Sequence, residues 1–246
     1  MLVLDGDKTR VQRAVIMAAG LGTRLRPLTF ETPKPLLKVK GRRIIETILD
    51  ALIENDIRDI YIIRGWLGEK FDVLLDKYPS IKLLNNPAYA QGNNITSLLT
   101  AGTLLSNAYL IPADIFVNNP AIFPNRAESS NMLGYAINRT ADWCISANAD
   151  GRIIRLLPGS VDGAKSYKDI GAAYWTAQDG LRLSRQVAAV CNTPDGRNRY
   201  WSNVPFVLFK DDYRAMIRTC QKDDVIEIDT VDELLALDDS YGEAIR

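Results

Sequence analysis

The stretch AVIMAAGLGTRLRPLTFETPKPLLKV, residues 14–39, runs from an uncharged apolar segment through a glycine turn to two arginines and a Pro-Lys-Pro. Its first residues read as a buried strand, because an uninterrupted apolar run suits a strand covered on both faces. Glycine directly after a strand lets backbone N–H groups approach a phosphate, since no Cβ stands in the way. Arg24 offers a planar fork to phosphate oxygens. Lys34 is a point charge between Pro33 and Pro35, which restrict the backbone on either side. The stretch predicts a phosphate cradle at the edge of an α/β sheet. Two common cradles are excluded. There is no G-x-x-x-x-G-K-[ST] string, and Leu25 stands where a dinucleotide fingerprint needs its third glycine.

Outward from this loop, strand and helix patterns alternate. Residues 44–55 place apolar side chains at helical spacing, and 59–65 read as a second buried strand. A short helix over 69–77, a strand over 81–86, a helix over 94–105 and a fourth strand over 108–114 follow. This alternation predicts a mostly parallel sheet with helices on both faces. After Asn131 the rhythm changes. MLGYAINR, DWCISAN and RIIRLLPG are strand-like runs close together, with a hairpin signal at 149–151. KDIGAAYW reads as another strand, 178–191 as a helix, 224–229 as a strand and VDELLALDD as the last helix. The expected fold is α/β: a three-layer α/β/α Rossmann-like mixed sheet, mostly parallel. A small β-rich, acceptor-binding insertion in the second half is expected over the carboxyl ends of the first four strands. Residues 1–12 are expected to be an N-terminal extension to a single domain over 13–246.

Composition narrows the chemistry. The 246 residues suit one large α/β domain. Lysine plus arginine and aspartate plus glutamate both number 30, so no global field favours nucleic acid or a membrane, and any anion is bound locally. Three distant cysteines without Cys-x-x-Cys spacing argue against zinc or a disulfide framework and for a reducing cytoplasm. Residues 1–13 lack the apolar core of a signal peptide, and no run reaches the roughly eighteen apolar residues of a membrane span. The chain contains no histidine, which excludes Ser-His-Asp and Cys-His mechanisms. Carboxylates, lysines, arginines or a metal must do the work. Asp114 ends the fourth strand and Asp229 ends the EID run near the C-terminus. Carboxylates at strand ends lie where open α/β sheets bind ligands, and two of them would hold Mg²⁺ with water and phosphate oxygens. Glu227, on the same face as Asp229, is a weaker candidate. Asp229 could instead cap the helix that follows Thr230.

The pattern G-x-G-x-R-x-x-P-x-T-x-x-x-P-K, carried by Gly20, Gly22, Arg24, Pro27, Thr29, Pro33 and Lys34, resembles the nucleotidyltransferases that make sugar and alcohol nucleotides. NNPAYAQGNNITSL (85–98), RYWSN (199–203) and VIEID (225–229) make the chain similar to the bacterial choline-phosphate cytidylyltransferases of that superfamily, over about residues 13–237. The resemblance implies Mg²⁺-dependent transfer of CMP from CTP to phosphocholine, giving CDP-choline and pyrophosphate. It implies Lys34 and Arg24 as catalytic residues, Asp114 and Asp229 as metal ligands, and cytosine as the base. The nucleotide-binding set is Ala18, Ala19, Gly20, Gly22 and Thr23 of the loop with Gln91, Asn94 and Ser97, whose amides and hydroxyl suit a pyrimidine edge. Asn94 or Thr96 could alternatively cap the next helix. Trp143, Tyr174 and Trp201 are the acceptor-binding candidates, since aromatic faces hold quaternary ammonium groups.

One departure matters. Ser202 stands where that family usually carries an acidic residue after Tyr-Trp. 2-Aminoethylphosphonate or phosphoethanolamine is therefore an alternative acceptor, with Asp142, Asp162 or Asp169 supplying the missing charge. A sugar-1-phosphate nucleotidyltransferase is a second alternative. A non-enzymatic nucleotide-binding domain would be expected to lack Lys34 or one metal aspartate, and both are here. The expected partners are CTP and a small phosphorylated amino alcohol or phosphonate, without nucleic acid or membrane, and a homodimer is compatible with the sequence.

Overall fold

The computed structural model describes residues 8–138, 143–160 and 163–242. Its centre is four parallel strands, β1 (Arg13–Ala18), β2 (Asp59–Arg64), β3 (Lys82–Asn85) and β4 (Ala108–Pro112), standing in the order β4-β1-β2-β3. The chain steps outward from β1 to β3 and then returns to the far side of β1. The order therefore reverses between β1 and β4, and a crevice opens outside the carboxyl ends of strands at such a reversal.

Ala14, Val15 and Ile16 are fully buried, which explains the uncharged run. Ala14 and Ile16 pack with Ile45, Ile48 and Leu52 of α1 (Ile44–Glu54) on one face. Val15 packs with Leu98 of α2 (Ile95–Ala101) and Leu183 and Val187 of α3 (Ala177–Cys191) on the other. Two expected helices differ. The segment expected over 69–77 is a 3-10 turn, Gly68–Leu74, in which only Phe71 and Leu74 are buried. A spacing of three suits 3-10 geometry better than an α-helix. The helix expected over 94–105 ends at Ala101, where Gly102 takes a φ of 52°, and a 3-10 turn completes it.

The second half extends the central sheet instead of lying over its strand ends. β6 (Asn131–Ala136), β7 (Trp143–Ala147), β8 (Ile153–Pro158) and β9 (Lys165–Trp175) share one sheet with β1 to β4. β9 pairs antiparallel with β4 through Ala173 and Leu110, and further along with β7. β6 pairs with the other side of β9 and carries β10 (Met216–Thr219) parallel to it. The reason lies in the end of β9: Ala172, Ala173, Tyr174 and Trp175 are all buried, so this segment must sit inside a covered sheet. Thr9–Arg10 pairs with Arg126–Ala127, tying the expected extension to the domain from Thr9 onward. Residues 1–7, Asp142 and Asp162 lie outside the described residues.

β5 (Ile115–Val117) pairs antiparallel with β11 (Val225–Glu227), and α4 (Val231–Leu237) follows β11. Leu25 and Leu37 from the segment after β1 pack with Ile228 and Leu234 in a small separate cluster. This cluster holds the C-terminal segment under the glycine loop.

Asp169 sits in β9 near its bend, and its Oδ1 accepts the Gly171 N–H at 2.8 Å. Burial pushes its carboxyl up to about 6, against the pull of that bond and of Lys168. The folded value lies above the ordinary value of about 3.9, so stability is full below about pH 4 and declines as pH rises through about 6. Asp169→Asn keeps an acceptor oxygen and removes the charge. Its stability gain over the wild type in urea unfolding should grow from near zero at about pH 4 to a plateau above about pH 6. A gain independent of pH would refute this reading.

Candidate active site

A cleft of about 960 Å³ opens at the carboxyl ends of β1 and β4. Ala18, Ala19, Gly20, Gly22 and Thr23 line it from the loop after β1, and Gln91, Asn94 and Ser97 line it from the segment that enters α2. Gly22 adopts the left-handed conformation, φ 60° and ψ 33°. A Cβ there would lie 2.9 Å from Thr29 Cγ2 and 3.2 Å from Lys34 Cβ. The Thr29 hydroxyl donates to the Gly22 carbonyl at 2.8 Å. The spacing of glycine, threonine and lysine in the motif is thus a packing requirement: the three side-chain positions meet. Where a Cβ on Gly20 would stand there is open space, so the backbone is free to be approached.

Lys34, Arg24, Asp114 and Asp229 come together in this cleft. Lys34 Nζ donates to Asp229 Oδ1 at 2.8 Å and to Asp114 Oδ2 at 3.1 Å. Arg24 Nη2 reaches Asp229 Oδ2 at 3.0 Å. The Lys34 side chain is 11% exposed and that of Arg24 66%, so the first charge is fixed and the second is free to swing. The two aspartates meet because β5 and β11 pair: Glu227 faces Ile115, and the Ile228 N–H donates to the Asp114 carbonyl at 3.0 Å. Helix capping does not account for Asp229. Thr230 is the cap of α4, its hydroxyl accepting from Glu233 N at 3.3 Å, while Glu233 Oε2 accepts from both Asp229 N and Thr230 N. The Asp229 carboxylate is left to the cations. Burial works to raise its pKa, but the charge and hydrogen bond of Lys34, and then those of Arg24, hold it below the usual carboxylate range.

The other carboxylates mark a place for positive charge. Asp114 Oδ1 is buried with no hydrogen-bond partner. Burial, then the charge of Asp114 and more weakly that of Asp229, push the Glu227 carboxyl up to about 7, against the pull of Lys168. Lys168 Nζ lies 3.1 Å from Glu227 Oε2. An orphaned oxygen among negative charges fits a hard divalent cation. Among the described residues no group of three potential metal-ligating side chains occurs, so Asp114 and Asp229 would be joined by water and phosphate oxygens.

The aromatic candidates separate. Tyr174 is 1% exposed, pairs with Tyr109 near the start of β4, and donates its hydroxyl to Asn107 Oδ1 at 2.8 Å. It is a core residue at the end of the sheet away from Asp114, because β9 runs antiparallel to β4. Trp201 is also core, 3% exposed and edge to face with Trp175. Neither lines the cleft, and Trp143 is not part of its lining. Trp143 is half-buried, packs edge to face on Tyr200 at 5.6 Å, and precedes Cys144, which pairs with Lys168 of β9. Asn94 precedes α2, yet its side chain makes no capping bond. Ser97 Oγ accepts from Asn86 Nδ2 at 3.4 Å and keeps its own proton to donate. Asn86, buried and bonded also to Thr96, orients this wall of the cleft and lay in view within the NNPAY run. Asn198 lines the cleft as well, and no local pattern pointed to it.

A glycine cradle at a strand reversal, with lysine and arginine set on paired aspartates, defines an enzyme that joins a nucleotide to a phosphate group. Residues 13–116 match the nucleotidyl transferase family. The chain is 32% identical to the 2-aminoethylphosphonate cytidylyltransferase of Lancefieldella rimae over 100% of both chains. It is 30% identical to the choline-phosphate cytidylyltransferase of Streptococcus pneumoniae over 92% of this chain and 97% of that one. The solved CTP:phosphocholine cytidylyltransferase of S. pneumoniae superposes with a TM-score of 0.83 at 30% identity, covering 94% of this chain and 99% of that one. The chain belongs to the nucleotidyltransferase family, among its choline-phosphate cytidylyltransferase-like members.

Proposed function

We propose that this enzyme transfers CMP from CTP to 2-aminoethylphosphonate and releases pyrophosphate, with phosphocholine as the rival acceptor. The observation that carries the acceptor choice is the burial of Tyr174 and Trp201 in the core. A quaternary ammonium is best held by several aromatic faces, and among the described residues Tyr89 is the one aromatic side chain that lines the cleft, with the edge-to-face pair of Trp143 and Tyr200 outside that lining. A primary ammonium instead donates hydrogen bonds, and Glu227, beside the paired aspartates, would accept one in exchange for its contact with Lys168. The full-length similarity to a 2-aminoethylphosphonate cytidylyltransferase supports the same reading.

In this mechanism an acceptor phosphonate oxygen attacks the α-phosphorus of CTP in line. The new O–P bond forms as the bond to the β-phosphate oxygen breaks, and pyrophosphate carries the electron pair away. The acceptor oxygen is ionised near neutral pH, so no general base is needed, in keeping with a chain without histidine. Lys34 would sit between the two anions, and Arg24 would turn from Asp229 to the β- and γ-phosphates. The loop N–H groups would hold the triphosphate, and Gln91 and Ser97 the base. Asp114 and Asp229 would hold Mg²⁺, which supplies charge neutralisation at the phosphates. We place the enzyme in the cytoplasm: its three cysteines are free thiols, and no helix among the described residues is long and apolar enough to cross a membrane.

Pyrophosphate release tests this directly, with each of the four nucleoside triphosphates against 2-aminoethylphosphonate, phosphocholine, phosphoethanolamine and glucose 1-phosphate. CTP with 2-aminoethylphosphonate should give the highest kcat/KM, at least about tenfold above phosphocholine. A preference for phosphocholine would establish the rival, and turnover with the sugar phosphate alone would overturn the acceptor class.

A further inference from the structure

The loop that carries the expected base-reading residues is fastened to a distant segment. The Asn93 N–H donates to the Arg197 carbonyl at 2.7 Å, and Asn94 Oδ1 accepts from the Trp201 N–H at 2.8 Å. Gly92 lies against the same Arg197 carbonyl, where a Cβ would stand 2.4 Å from the oxygen. The fastened segment, 197–201, runs between the cleft and Trp143. Asn198 lines the cleft, and Tyr200 packs on Trp143, the aromatic candidate for the acceptor. Trp201 anchors the segment in the core against Trp175. The segment is therefore held by the core at one end and by the nucleotide loop along its length.

We propose that Asn94 is a positioning residue that ties the acceptor segment to the nucleotide loop, not a base-reading residue, and that Gly92 allows the close approach the tie needs. The Asn94 amide oxygen is committed to Trp201 N–H, a buried donor that would otherwise be unpaired. Nucleotide held by the loop would then hold Asn198 and Tyr200 in place for the acceptor. Each substrate would strengthen binding of the other by the same factor, as linkage requires. The inference rests on the cytidylyltransferase reading of the cleft.

The test is titration calorimetry of 2-aminoethylphosphonate and phosphocholine on the full chain, with and without a non-reactive methylene analogue of CTP, alongside steady-state kinetics. In the wild type the analogue should tighten acceptor binding at least about fivefold. Asn94→Leu leaves Trp201 N–H without an acceptor, and Gly92→Ala forces Arg197 away. Both should reduce that coupling below about twofold and raise the acceptor KM about tenfold, with the preference for CTP over UTP unchanged. Asn94→Asp keeps an acceptor oxygen but loses the amide donor, and provides a variant that retains the tie if the leucine variant fails to fold. It should keep both the acceptor KM, within about threefold, and the base preference. Relaxed discrimination between CTP and UTP in Asn94→Asp would show that Asn94 reads the base and would overturn the tie, as would undiminished coupling in Gly92→Ala. If the wild type turned over no acceptor with CTP, the functional reading itself would fall. If turnover stood while the variants behaved as wild type, only the tie would fall.

Discussion

Lys34→Ala is expected to lower kcat by about 10²–10³, the usual loss when one donor to a developing anion is removed. Lys34 is a mostly buried cation bonded at once to Asp114 and Asp229, and it borders the cleft. In the proposed reaction the triphosphate of CTP and the acceptor's phosphonate group must meet there, and the main barrier is the repulsion between those two groups together with charge on the equatorial oxygens of the α-phosphorus. Arg24 is too exposed to replace Lys34 as a fixed charge. Lys34→Arg should recover only part of the rate, because a planar fork cannot take the place of a point charge whose Cβ already packs beside Gly22. Single-turnover rates with saturating CTP and 2-aminoethylphosphonate give the measurement, with circular dichroism as the check on folding. A loss below about threefold in a folded Lys34→Ala would remove Lys34 from the mechanism.

The second large effect concerns Asp229. Asp229→Asn should lower kcat by about 10³ and shift the Mg²⁺ titration of activity upward, by at least the roughly 10–100-fold that loss of an outer-sphere partner costs. Chelation with EDTA should abolish wild-type turnover, and added Mg²⁺ should restore it. Helix capping should be untouched, because Thr230 and Glu233 cap α4 without the Asp229 side chain. Any stability lost should be only that of the Lys34 and Arg24 ion pairs and should vanish as pH falls below the carboxylate range. This separates the two explanations for an aspartate at that position. A capping residue would leave the Mg²⁺ titration where it was, and a metal ligand would shift it. Identical Mg²⁺ titrations for wild type and Asp229→Asn would refute the metal assignment.

Legibility followed the range of the interactions. The loop after β1 could be read because its requirements are local. Gly22 needs a left-handed backbone and no Cβ, Thr29 bonds back to it seven residues on, and Lys34 packs against it. The buried strands were legible for a similar reason, since a strand covered on both faces needs an unbroken apolar run. The aromatics of the second half were not. Tyr174 and Trp201 carry the same side chains whether they cover a ligand or a core, and only the pairing of β9 with β4, for Tyr174, and packing on Trp175, for Trp201, decide between the two. Asn94, which does line the cleft, has a partner its local sequence does not show. An amide before a helix suggests a cap or a base contact, yet its oxygen goes to a backbone N–H 107 positions away.

By itself the sequence pointed to the kind of chemistry, through a glycine loop with Arg24 and Lys34, candidate aspartates at 114 and 229, and no histidine, because these depend on residue type. Tertiary structure alone decided which charges meet. Lys34 and Asp229 are 195 residues apart, and nothing in either neighbourhood specifies the other. They are joined because β11 pairs with β5 and because Leu25, Ile228 and Leu234 bury one another beneath the loop. Burial of apolar surface between distant segments set the geometry of the charged site.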